Sequence, residues 1–87
     1  MDTARIHRTW YVVRPVGGQW EVTFGAERGH FVYPTQDEAL TIARNAAQLH
    51  HDNRHEPTGA RLDLPGEMPH VVATYGRMPH VAQRRTG

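Results

Sequence analysis

The sequence predicts a small α+β domain: an antiparallel sheet in the order β-β-β-α-β-(β) with one helix packed on one face. Three observations carry this prediction. Two β-rich segments flank Gly17-Gly18, a capping box at Thr35 and Glu38 opens an apolar stripe of helical spacing, and a further alternating segment follows Pro57. Strands on both sides of a single helix are the pattern of a two-layer α+β fold.

Residues 1–8 carry polar and charged groups without periodicity and read as a flexible arm; the single domain is expected over residues 9–76 and a flexible tail over 77–87. Trp10-Tyr11-Val12-Val13-Arg14 is rich in β-formers, and Trp20-Glu21-Val22-Thr23-Phe24 alternates strictly. With Gly17 and Gly18 as the two loop residues of a hairpin, Val16 faces Gln19. Counting outward then pairs Arg14 with Glu21, Val13 with Val22, Val12 with Thr23 and Tyr11 with Phe24. Since side chains alternate along a strand, Tyr11, Val13, Trp20, Val22 and Phe24 form the core face, and Trp10, Val12, Arg14, Glu21 and Thr23 the other.

Gly25 to Gly29 reads as a loop, and His30-Phe31-Val32-Tyr33 as a short third strand ending at Pro34. The helix begins after Thr35, whose hydroxyl accepts from the backbone of Glu38; Asp37 and Glu38 place negative charge on the positive end of the helix dipole. Its apolar stripe is Ala39, Leu40, Ile42, Ala43, Ala46, Ala47 and Leu49, and the alanines predict close approach to the large side chains of the hairpin. The His50-to-Pro57 segment is expected to end the helix, with Asn53 and Pro57 opposing its continuation. Ala60, Leu62 and Leu64 align one face of a fourth strand. Residues 70–76 offer a last one, with Val71, Ala73 and Tyr75 aligned and Pro69 favouring an edge position.

The chain has 87 residues, enough for one domain that buries only about 60–65% of its unfolded surface. It has no Cys, which excludes disulfides, thiolate metal sites and a Cys nucleophile. No apolar run approaches the roughly 20 residues of a membrane span, and the first residues lack a signal-peptide core, so the expected location is cytoplasmic, with no membrane partner. Ten basic residues, all Arg, face nine acids for a net charge of +1, a balance that offers nucleic acid little general attraction.

The W-x-V after a Gly turn, the T-x-x-E-A-L-x-x-A-R helix and the later T-Y-G resemble a family of short bacterial proteins, domain of unknown function 2188. The matching residues are Tyr11, Val13, Trp20, Val22, Thr35, Glu38, Ala39, Leu40, Ala43 and Arg44, with Thr74, Tyr75 and Gly76 more loosely, so the resemblance spans residues 9 to 77. Where the family pattern has a basic segment and a Gly after the helix, this chain has its His-rich segment and reaches Gly59. The resemblance implies the same fold order and brings no established activity.

Three places carry candidate chemistry. His51 and His55 are four apart, a spacing that on a continued helix suits two imidazole ligands of Zn, with His50, Asp52 or Glu56 nearby; a solvated helix end favoured by the dipole explains the same residues, and no metal site is assigned. Met-Pro-His-Val occurs twice, from Met68 and from Met78, with too few copies for a structural repeat. The third place is the sheet face away from the helix. There Trp10, Val12, Arg14 and Thr23 form the candidate binding surface, to be covered by a second copy of the chain or, as the alternative, to stack and hold single-stranded nucleic acid with help from Arg5 and Arg8. Nucleophile elbows, phosphate loops and paired acidic motifs are lacking, and Asp63, Glu67 and His70 form no more than a trio that many chains of this composition contain. The sequence therefore predicts a non-enzymatic binding or interaction module that self-associates through the open sheet face or edge, with no catalytic residues, no cofactor and no evident small-molecule substrate.

Overall fold

A computed structural model of the chain describes residues 8–24 and 30–77. The expected loop over 25–29, most of the two expected terminal segments and the second Met-Pro-His-Val lie outside the described residues. The elements are β1 (Thr9–Val16), β2 (Gln19–Phe24), β3 (His30–Tyr33), α1 (Gln36–Arg54), β4 (Thr58–Leu62) and β5 (His70–Tyr75). They form one five-stranded sheet in the order β3-β2-β1-β4-β5, with α1 on one face.

The α+β class and the order of elements hold, but the sheet is mixed rather than wholly antiparallel: β1 and β4 run parallel. Chain direction dictates this. Two hairpin reversals leave β3 running the same way as β1, and a helix crossing back over the sheet returns the chain to the end where β3 began. β4 therefore sets out in the direction of β1 and pairs with it.

The β1–β2 register is the one the Gly-Gly turn sets, from Val16↔Gln19 through Arg14↔Glu21 to Tyr11↔Phe24. Gly17 and Gly18 both take positive φ, 57° and 80°, as a two-residue turn matched to strand twist requires. Between β4 and β5 a bulge interrupts the ladder: Ala60 pairs with Ala73, but Arg61 pairs with Val71. The extra residue changes which side chains face inward. Val72 packs on the core beside Tyr75, whereas Val71, aligned with Ala73 and Tyr75 in the sequence, is 59% exposed on the other face.

The core is Tyr11, Val13, Val22 and Ala60 from the sheet with Ala39, Ala43 and Ala47 from the helix. Small side chains at four-residue intervals bring the helix backbone close to the sheet, where Trp20, Phe24 and Leu40 close the flanks. Leu49, expected in this stripe, is 60% exposed. It lies two residues beyond Ala47, about 200° around the helix, and so leaves the buried side.

The helix ends at Arg54, inside the His-rich segment expected to end it and one residue past Asn53. Thr35 caps its start by accepting from the Glu38 amide at 3.2 Å. Its end is made by His55 in the left-handed region, φ 57°, whose amide donates to the His51 carbonyl at 2.7 Å. Pro57 restricts Glu56 to extended geometry. Thr58, wholly buried, then ties the new strand back to the helix by donating its hydroxyl to the Ala47 carbonyl at 2.6 Å. At the start of β1, the Arg8 guanidinium lies within hydrogen-bonding distance of the Thr58, Tyr75 and Gly76 carbonyls. Arg8, read from sequence as part of the arm, thus binds the ends of β4 and β5.

Candidate functional site

Alternation along the paired strands gives the open face three rows. One runs Thr23–Val12–Arg61–Val71, a second Val32–Glu21–Arg14, and a third Trp10–Gly59–Thr74. The four residues singled out from sequence, Trp10, Val12, Arg14 and Thr23, thus share one surface and are joined there by residues of β3, β4 and β5. The chain itself partly covers them. The Trp10 ring lies against Gly59, and the Arg61 guanidinium stands over the indole at 5.5 Å from its centroid.

Among the described residues, the arginines of this face's strands, Arg14 and Arg61, have carboxylate partners. Arg14 Nε donates to Glu21 Oε1 at 2.9 Å, and Glu21 is buried. Arg61 forms a two-pronged pair with Asp63, Nε to Oδ1 at 2.9 Å and Nη2 to Oδ2 at 3.1 Å. Asp63 is therefore drawn to Arg61, while His70 pairs with Glu67 at 2.9 Å, and the trio considered as an acid–base set is divided between two separate pairs.

The His-rich segment is organised by structure rather than gathered around a centre. His55 leaves the helix in left-handed geometry, so His51 and His55 do not share a helical face. His51 Nδ1 donates to the Glu56 carbonyl at 2.9 Å. Among the described residues no group of three or more His, Asp or Glu stands in position to hold a metal ion.

A different arrangement joins the helix to β1. The Tyr11 hydroxyl donates to His50 Nδ1 at 2.7 Å, and His50 Nε2 donates to Glu56 Oε1 at 2.9 Å, a continuous Tyr–His–Glu relay. The His50 hydrogen bond holds the Glu56 carboxyl below its ordinary value, with the nearby Arg54 charge acting in the same direction and desolvation opposing it. The signal in the sequence is His50 itself, which stands seven residues beyond Ala43 and so continues the buried side of the helix as a polar residue.

The family model described as an uncharacterised protein conserved in bacteria (DUF2188) matches residues 10–55, more than half of the chain. The matched span takes in the first three strands and the helix; Thr74, Tyr75 and Gly76 lie beyond it. Comparison with curated proteins and with solved structures gives no match.

Proposed function

The chain belongs to the DUF2188 family of uncharacterised proteins conserved in bacteria, and from that premise we propose that it is a non-enzymatic interaction module that self-associates through the open face of its sheet. One observation carries this reading. Among the described residues, the arginines of the face's strands, Arg14 and Arg61, are each paired with a carboxylate at 2.9 Å, while Val16, Val32 and Val71 on the same face are 44%, 47% and 59% exposed.

A nucleic-acid strand would have to compete with Glu21 and Asp63 for those guanidinium groups, and it would bring more negative charge to a face already balanced. A second copy brings the same balanced face. Exposed valines then cover one another about a two-fold axis, and opposite charges are available at equal number on both sides. Among the described residues no helix is long and apolar enough to cross a membrane.

Sedimentation equilibrium tests it. The wild-type chain is expected as a dimer, and Val32→Glu or Val12→Glu as a monomer with unchanged far-UV circular dichroism. A wild type that stays monomeric at about millimolar concentration, far above the range of specific association, overturns the reading. So does single-stranded nucleic acid binding that weakens steeply with salt and is lost in Arg14→Ala.

A further inference from the structure

On the helix side of the sheet, the last turns of α1 leave an open cleft of about 570 Å³ against the ends of β1 and β2. Its size lies within the range of small-ligand sites, about 300–1,000 Å³. One wall is apolar: Tyr11 and Phe24 pack with ring centroids 5.2 Å apart, and Leu49, 60% exposed, faces the same space from the helix. The lining also includes one cation and one anion, Arg54 and Glu56. The relay holds Glu56 by one oxygen, Oε1, and leaves its side chain 49% exposed.

We propose that this cleft binds a free apolar α-amino acid, with the carboxylate on Arg54, the ammonium on Glu56 and the side chain against Phe24 and Leu49. The charge pattern selects the zwitterion. An apolar acid would meet Arg54 but bring its charge to Glu56, an apolar amine would do the reverse, and a neutral hydrocarbon would gain nothing from either ion. The relay through His50 supplies the rigidity, because it fixes Glu56 relative to the Tyr11 ring. A ligand of about a dozen non-hydrogen atoms in an open cleft binds in the millimolar range. The site lies on the face opposite the proposed contact between copies, so each idea stands or falls separately.

The test is a ¹⁵N-¹H NMR titration of the full chain with L-phenylalanine, and with phenylacetate and phenethylamine, which each lack one of its charges. L-Phenylalanine is expected to give saturable shifts at Phe24, Leu49 and His50 with a Kd of about 1 mM, and each analogue to bind roughly five- to tenfold more weakly. Arg54→Gln and Glu56→Gln change exposed residues and preserve the fold, which circular dichroism checks. Arg54→Gln is expected to weaken L-phenylalanine and phenylacetate and leave phenethylamine unchanged; Glu56→Gln is expected to weaken L-phenylalanine and phenethylamine and leave phenylacetate unchanged. The proposal is overturned if no compound gives saturable shifts up to about 20 mM, well beyond the expected range. It is equally overturned if all three bind alike, or if both variants weaken all three alike.

Discussion

The indole of Trp10 lies directly over Gly59: a methyl group built on Gly59 would stand 2.6 Å from Cζ3 of the ring and 3.1 Å from the Ala73 carbonyl oxygen. The two residues are neighbours across the parallel β1–β4 pair. A glycine in a strand has no side chain to pack, and an aromatic ring from the next strand restores the missing contact. Trp10 is in this sense part of the fold as well as part of the open face.

Gly59→Ala is therefore expected to destabilise the protein by about 1–3 kcal/mol, the usual cost of forcing extra volume into a packed site. Backbone strain contributes nothing, since Gly59 is not in the left-handed region. In a Trp10→Ala background the same change should cost much less, because the obstructing ring is gone. Urea midpoints for the four members of the cycle check this; an additive pair would show that the indole does not hold the position.

His55→Gly is expected to act in the opposite direction. His55 closes the helix at φ 57°, a conformation that costs an L-residue and that glycine adopts freely. It is exposed, so little packing is lost. The variant should gain about 0.5–1 kcal/mol despite the larger entropy of its unfolded chain. Thermal denaturation at neutral pH measures the gain, and a fall in stability would show that the histidine side chain supports the helix end.

The hairpin was legible because a two-residue Gly-Gly turn fixes every pair outward from it, and Arg14 opposite Glu21 agrees with that count. The stripe of alanines was legible for a similar reason: four-residue spacing depends on sequence alone. The parallel β1–β4 pair depends on the sense of the whole path, which no single segment displays. The segment that ends the helix was legible, but the tertiary bonds that hold its last turns, Thr58 to Ala47 and Tyr11 to His50, join residues far apart in the sequence. The relay brings together residues 11, 50 and 56, so spacing along the chain could mark His50 as a polar residue on the buried side but could not supply its partners. The alignment of Val71 with Ala73 and Tyr75 does not hold, because a bulge leaves no mark in the alternation of the sequence.

Arg8→Ala is expected to cost about 1–2 kcal/mol, as the loss of charged hydrogen bonds to backbone carbonyls does. A single nitrogen, Nη1, lies 2.8, 3.1 and 3.2 Å from the three oxygens. It carries two hydrogens for three acceptors, so one is shared. An ammonium has three donors on one nitrogen, and Arg8→Lys should retain a large part of the stability. Denaturant unfolding ranks the three proteins; if the Lys and Ala variants are equally destabilised, the guanidinium acts through its shape rather than through these bonds.

The Glu56 carboxyl gives the protein a defined response to acid. Its folded value is lowered, first by the His50 hydrogen bond and then by Arg54, from an ordinary 4.5. A carboxyl whose folded value is depressed contributes stability that is fully present above the unfolded value and is lost as pH falls through the folded one. The contribution should therefore be intact at neutral pH, begin to decline near pH 4.5 and be gone once the pH lies below the lowered value. Glu56→Gln keeps an oxygen for His50 but removes the titrating group. Its Tm should lie below that of the wild type at pH 6–7, and the gap should close as the pH is brought down towards 3, at the onset of acid unfolding. Melting curves collected across this range at fixed ionic strength provide the comparison. A gap that stays constant with pH would mean that the carboxylate charge contributes nothing through the relay, and that Tyr11 and His50 hold the helix to β1 without it.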